Sequence, residues 1–213
     1  MRISSPFGIL SATAVALLAG PAAAQNNSLY ILQDNSTGGM SNTITVDQSL
    51  ASRSEVGTSA APVLQLGSGN EAEVTVIGSG SRVALSQRSV ASTSTVEGNT
   101  VTLDLVGTTL LGSVSQTGFG NRGVLSASGA NAAASLVQEG NLNTGAVSVM
   151  GRDASGTLRQ VGDRNETALD VRGTGTSVIY NVIGNGLAAT VPPSVVSNGA
   201  TVTITQTGPG LTQ

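Results

Sequence analysis

A short repeated motif constrains the fold of this 213-residue chain more than any other feature. The motif Gln-x-Gly-x-x-Asn occurs at 65–70, 116–121, 138–143 and 160–165, and the last three copies start 22 residues apart. Apolar residues at alternate positions and then a Gly follow each Asn, and the same pattern follows Asn99. Repeats at a fixed period indicate a chain built from stacked copies of one structural unit.

Each repeat has the pattern of a strand, a turn, a second strand and a second turn. Apolar residues with period two are typical of β-strands, and Gly and Asn suit the turns between them. One such unit cannot bury its own inward face, so copies must stack about 4.8 Å apart with equivalent strands paired. The sequence therefore predicts an all-β fold, a β-solenoid of about seven rungs of about 22 residues with two strands each. The expected rungs cover 28–50, 61–78, 83–107, 112–129, 134–151, 156–173 and 178–206.

The first, third and last expected rungs depart from the regular spacing. Extra residues lengthen the turn of the first rung, and a longer loop separates Gln87 from Asn99 in the third. In the last rung, Tyr180 and Val182 take first-strand positions, and a loop with two prolines follows. The residues expected in its second strand are Asn198, Ala200, Val202 and Ile204.

The Gln and Asn of the motif fall on the inward side of the expected strands. A buried amide without a partner is costly, but amides stacked in register can hydrogen bond their copies in the next rung. The expected amide ladder consists of Gln65, Asn70, Asn99, Gln116, Asn121, Gln138, Asn143, Gln160 and Asn165. The expected turn glycines are Gly67, Gly78, Gly107, Gly118, Gly129, Gly140, Gly151, Gly162 and Gly173.

Residues 1–24 have the pattern of a cleaved secretory signal peptide. Arg2 supplies a positive charge, 7–20 is an apolar stretch, and small residues at 22–24 suit a cleavage site after Ala24. The apolar stretch is shorter than the roughly 20 residues that a membrane span requires. We therefore expect a secreted mature chain, 25–213, that forms a single repeat domain.

The composition argues against most enzymes and against binding of nucleic acid or metal. The chain contains no Cys, His, Lys or Trp, which excludes Ser-His-Asp triads, ordinary zinc sites and Schiff-base chemistry. A net charge of −3 gives no electrostatic footprint for nucleic acid. Asp104 and Asp170 share an outward column, but three rungs separate them by about 14 Å, beyond the spacing of paired glycosidase carboxylates. We therefore expect no catalytic residues, cofactor or metal.

The phased Gln-x-Gly-x-x-Asn array behind a signal peptide resembles the curlin repeat of curli fibre subunits. The resemblance is strongest over 61–173 and implies an extracellular amyloid subunit of a Gram-negative bacterium. It further implies self-polymerisation, other curli-like subunits, an outer-membrane secretion pore and periplasmic accessory proteins as partners, with roles in adhesion and biofilm. Curlin repeats usually carry a second Gln six residues after the Asn, and here Gln48 is the one residue that matches it.

A monomeric secreted β-solenoid, such as an adhesin or an ice-binding module, is the alternative. Ice binding requires a Thr-x-Thr row in every rung, which this chain does not have. Thr201, Thr203 and Thr205 form one row, but the equivalent positions at 166–170 carry Glu, Ala and Asp. The residues alone leave both a major fibre subunit and a minor nucleator open.

Overall fold

The computed structural model describes residues 12–17, 26–35, 40–89, 98–189 and 192–208. All regular structure in these ranges is β-strand, and no helix there is long and apolar enough to cross a membrane. The strands are β1 (Ala12–Leu17), β2 (Ser28–Leu29), β3 (Ile31–Asp34), β4 (Asn42–Ser52), β5 (Glu55–Val56), β6 (Val63–Leu66), β7 (Glu71–Ser79), β8 (Arg82–Arg88), β9 (Thr100–Leu105), β10 (Leu111–Thr117), β11 (Arg122–Ala127), β12 (Ala133–Glu139), β13 (Thr144–Met150), β14 (Ser155–Val161), β15 (Glu166–Thr174), β16 (Ser177–Ile183), β17 (Ser194–Asn198) and β18 (Thr201–Thr207).

The strands form two parallel sheets that face each other across the core. The Asn sheet has the order β1-β4-β7-β9-β11-β13-β15-β17. The Gln sheet has the order β18-β16-β14-β12-β10-β8-β5-β2, with β3 and β6 continuing the strands of the first two rungs. Because the chain alternates between the sheets and each strand pairs with its equivalent in the next rung, the structure confirms a β-solenoid of about seven turns.

Equivalent repeat positions lie side by side along the stack. Gln116 is in register with Gln138, which is in register with Gln160. Alternate residues of the strands in the middle of the stack are buried, and the apolar ones, such as Leu136 and Leu158, form one continuous core between the sheets. The period-two pattern thus becomes columns of like residues along the solenoid axis.

The turn inside the motif requires two left-handed residues. In the fifth rung these are Gly140, with φ 115°, and Leu142, with φ 59°. A side chain at 140 would collide with the Gly162 carbonyl oxygen, because successive turns stack directly on one another. Among the nine expected turn glycines, Gly129 differs: its φ is not positive, and a Cβ there would meet nothing within 4 Å.

The second rung begins earlier than expected. Its strand in the Gln sheet is split into β5 and β6, which pair with the two ends of β8, and 57–62 loop out between them. The expected start at 61 therefore misses β5. In the third rung, residues 90–97 lie outside the described residues.

The expected second strand of the last rung is wrong. Val202 and Ile204 lie on β18, which pairs with β16 in the Gln sheet, opposite Val178 and Tyr180. The second strand of that rung is β17, which pairs with β15. The reason is that Leu187 takes the position after Asn165 in the inward Asn column, whereas Asn198 is the last residue of β17, where its Oδ1 accepts the Thr174 N–H at 3.0 Å.

Most of the expected signal peptide, including its cleavage site, lies outside the described residues. The described part, 12–17, forms β1 and pairs in parallel with β4 over six consecutive residues from Ala12–Asn42 to Leu17–Asp47. This strand extends the Asn sheet by one position beyond the first rung.

Candidate functional site

The Gln side chains of the Gln sheet form a continuous ladder through six rungs. The Nε2 atom of each Gln donates to the Oε1 atom of the Gln in the following rung, from Gln33 to Gln160. From Gln65 onward these distances are 2.8–2.9 Å. The ladder members are Gln33, Gln65, Gln87, Gln116, Gln138 and Gln160. All donate in one direction, so the ladder has a polarity along the axis.

From Gln65 onward, each ladder Gln also donates to a backbone carbonyl oxygen of the Asn sheet. Gln138 Nε2 donates to the Arg122 carbonyl oxygen at 3.0 Å and to the Asn143 carbonyl oxygen at 3.1 Å. Gln160 has no Gln above it, because Val182 occupies the next position. Its Nε2 donates instead to the Thr167 hydroxyl at 2.9 Å, where the two preceding rungs have Gly. Thr167 therefore ends the ladder without leaving a buried donor unpaired.

The Asn side chains form a second ladder. Each Asn lies at, or directly before, the first residue of a strand of the Asn sheet. Asn143 Nδ2 donates to Asn121 Oδ1 at 3.1 Å in the preceding rung and to the Gly162 carbonyl oxygen at 2.7 Å in the following one. Its Oδ1 accepts the backbone N–H of Asn165 at 3.0 Å. Each Asn from Asn70 to Asn165 thus connects three rungs, Asn42 begins the ladder, and Leu187 takes the position after Asn165. The ladder members are Asn42, Asn70, Asn99, Asn121, Asn143 and Asn165.

All nine amides that the sequence singles out lie in these two ladders and are buried. The ladders also contain Gln33, Gln87 and Asn42, which the expected ladder lacks. The signal for them is present in the sequence, because all three stand in phase with the repeat beside stretches where its spacing lengthens. Gln48, the match to the second curlin Gln, is also buried, and no described residue donates to its Oε1.

On the outer faces of the described ranges, charged residues are few and scattered. One outward column contains Glu71, Thr100, Arg122, Thr144 and Glu166. Like charges in it are separated, which avoids repulsion between neighbouring strands. Asp170 lies 2.8 Å from Arg172 Nε, whereas Asp104 is on another strand, beside Ser126. Among the described residues, no three acidic side chains are grouped to hold a metal ion.

The N-terminal end of the Gln sheet is an open strand edge. The edge runs through β2 and β3, and no described strand pairs with its outer side. Leu29 and Ile31 pack against the core but stay half-buried. Gln33 Oε1 accepts no hydrogen bond from the described residues, whereas every later Gln of the ladder accepts one.

The C-terminal end of the Gln sheet is open in the same way. Its edge strand, β18, has the uncharged sequence Thr-Val-Thr-Ile-Thr-Gln-Thr, and Val202 and Ile204 are half-buried against the core. Gln206 is in register with Val182 and so stands in the Gln column, where its Oε1 accepts the Tyr180 hydroxyl. Burial raises the pKa of the Tyr180 phenol, which keeps this donor protonated. The Gln206 Nε2 atom donates to no described residue.

The arrangement can therefore pair strands and side-chain amides at both ends. Comparisons with protein-family models, with curated proteins and with solved structures found no match.

Proposed function

We propose that this chain is a structural subunit or nucleator of an extracellular curli-like amyloid fibre, in which copies stack end to end. The observation that carries the proposal is the match between the two open edges of the Gln sheet. Unpaired strand edges template the pairing of further chains unless they are covered or charged. The interior core also stops at both ends with half-buried apolar residues that a second copy would cover.

The register of such a junction follows from the columns of the sheet. Thr201–Thr207 and 28–34 both have seven residues, and each continues the same columns. Continuing the stack places Val202 against Leu29 of the next copy and Ile204 against Ile31. These pairs require no bulge or shift in either strand.

The polarity of the Gln ladder supports head-to-tail stacking. Within the molecule, each Gln donates toward the C-terminal end. At the junction, Gln206 Nε2 is the donor at the C-terminal end, and Gln33 Oε1 is the acceptor at the N-terminal end of the next copy. If two C-terminal ends met, two donors would face each other, and if two N-terminal ends met, two acceptors would. Either arrangement would leave buried groups unpaired.

Partners and location belong to the same proposal. A fibre on the cell surface of a Gram-negative bacterium needs export, so the expected secretion pore, periplasmic accessory proteins and other curli-like subunits are its proposed partners. Adhesion and biofilm formation are the proposed roles.

Single charges at the two edges test the junction in the mature chain, 25–213. We expect Ile204→Lys and Ile31→Lys each to abolish fibres, because a buried apolar pair worth about 1.5–3 kcal/mol per side chain is replaced by an unpaired charge. Thr203→Lys, on the exposed side of the same strand, is the matched control and should still form fibres. Electron microscopy and a dye-binding time course measure the outcome.

Mixing the two edge variants distinguishes head-to-tail stacking from other modes. Each variant keeps one intact end, so we expect an equimolar mixture to give 1:1 heterodimers that grow no further. Sedimentation velocity measures their mass. Homodimers of either variant alone, or monomers in the mixture, would rule out this junction. A wild-type chain that stays monomeric would instead support the secreted adhesin or binding module.

A further inference from the structure

The strand of the second rung in the Gln sheet contains an insertion that leaves its register intact. β5 pairs with the start of β8 and β6 with its end, so 55–57 and 63–66 together match the seven residues of β8 one for one. Gly57 N–H donates to the Val83 carbonyl oxygen at 2.8 Å, as it would in an unbroken strand. The five residues 58–62 are therefore additional to the strand.

The 58–62 loop projects from the outer face of the sheet. The chain leaves the strand at Gly57, which is aligned with the exposed Ala84 of the next strand and so takes an outward position. Thr58 N–H donates to the Ala61 carbonyl oxygen at 2.8 Å, which closes the loop into a compact turn with an exposed tip. Two residues of rise give the loop a height of roughly 6 Å above the strand.

Apart from this loop, the outer face of the Gln sheet carries mostly uncharged side chains. Arg159 is the single charged residue that the described strands place in its two central columns, and it lies 3.1 Å from Glu139. One central column contains Tyr30, Ala84, Ser113, Ser135, Thr157, Ile179 and Thr203, and the other contains Leu32, Leu64, Ser86, Ser115, Val137, Arg159, Asn181 and Thr205.

The charges at the margins of this face balance one another. The charged residues of the whole face are Arg82, Arg88, Arg159, Asp34, Glu55 and Glu139. Three of them are positive and three are negative, so a second copy of the same face would meet no net repulsion.

The face is large enough for a stable contact between two copies. Eight strand levels about 4.8 Å apart and seven residues of about 3.3 Å along each strand give an area of about 880 Å². Stable interfaces bury about 800 Å² per partner. Four large apolar side chains of this face are more than a third exposed, and a second face would cover them: Tyr30, Leu111, Ile179 and Ile183.

We propose that the outer face of the Gln sheet is a surface that docks onto the same face of a second copy, and that the 58–62 loop blocks this docking. Small side chains suit close packing between paired sheets, which lie about 10 Å apart. A loop roughly 6 Å high leaves about 4 Å, which is one van der Waals contact and no room for facing side chains. The consequence for fibres, that stacks remain single, rests on the proposed function, whereas the docking of monomers does not.

Deleting 58–62 tests the proposal without fibres. Ile204→Lys in the chain 25–213 prevents end-to-end stacking, and with the loop this variant should sediment as a monomer. Without the loop it should dimerise, with a dissociation constant at least about tenfold lower. Because the deletion joins Gly57 to Val63 in register, the unfolding midpoint should not fall. A deletion variant that stays monomeric, or that fails to fold, would overturn the proposal.

Two lysine substitutions in the deletion variant identify the face that docks. Ser135 lies near the centre of the outer face of the Gln sheet, between Ser113 and Thr157. Ser135→Lys should restore monomers, because docking would bury an unpaired charge. Thr102→Lys, at an exposed position on the outer face of the Asn sheet, is the matched control and should leave the dimer intact. Equal effects of the two substitutions would rule out this face.

Mass per length tests the role of the loop in fibres separately. Fibres of 25–213 should contain one chain per about 38 Å, the height of eight strand levels, and deleting 58–62 should double the mass per length. An unchanged mass per length would overturn the role in fibres and leave the docking of monomers intact. Failure of both chains to form fibres would count against the proposed function alone.

Discussion

Replacing Gln138 and Asn143 by Ala in one chain should destabilise the solenoid severely and delay or abolish fibre formation. Gln138 accepts from Gln116 and donates to Gln160, while Asn143 links Asn121 to Asn165. The double variant leaves several buried donors and acceptors unpaired, each costing about 1–3 kcal/mol. Their sum is comparable with the 5–15 kcal/mol that stabilises an ordinary domain. Denaturant unfolding of the monomer and the fibre lag time measure the loss.

Arg152→Ala is the control for this experiment. Arg152 is exposed in the turn after β13, in the same rung, and its side chain takes part in no ion pair among the described residues. An exposed charge contributes little, so this variant should unfold and assemble almost as the wild type does. Equal unfolding midpoints and lag times for the two variants would refute a structural role for the ladders.

Adding a single methyl group in one turn should lower the stability of the solenoid nearly as much as the Gln138 and Asn143 double variant does. Gly151 has φ 135°, and a Cβ there would collide with the Gly173 carbonyl oxygen in the next rung. Gly151→Ala adds backbone strain and separates two stacked turns, so we expect a loss of at least about 2 kcal/mol in the free energy of unfolding. Thermal and denaturant unfolding of the mature chain check this.

The repeat supplies a matched control one rung earlier. Gly129 occupies the equivalent position, but its φ is not positive and a Cβ there would meet no atom within 4 Å. Gly129→Ala should therefore change stability by less than about 1 kcal/mol, and it can stabilise by reducing the freedom of the unfolded chain. Equal losses at 129 and 151 would show that turn stacking does not limit stability.

Much of the fold could be predicted because period-two alternation and an exact repeat leave few ways to bury the inward face. The pairing of Gln116, Gln138 and Gln160 follows directly from their 22-residue spacing. Their burial follows from the same phase, since an inward Gln stacked on its own copy finds a hydrogen-bond partner in the next rung.

The irregular parts could not be predicted from spacing. In the last rung, the Asn-Gly pair at 198–199 resembles the start of an inward Asn strand in sequence, yet Asn198 ends β17 and pairs with Thr174. The end of the Gln ladder depends on two residues distant in sequence, Val182 and Thr167, whose relation appears only when the rungs are stacked.

Cross-linking across the junction tests the central claim most directly. The chain has no Cys, so engineered thiols report without background. Thr205 and Leu32 share an outward column, which places their Cα atoms about 4.8 Å apart across a head-to-tail junction, within disulfide range. We predict that a mixture of Thr205→Cys and Leu32→Cys chains forms disulfide-linked pairs in fibres under mild oxidation. Thr201→Cys, about 13 Å away along the strand, should not link to Leu32→Cys. Equal linking at 201 and 205, or none at 205 in intact fibres, would contradict end-to-end stacking in this register.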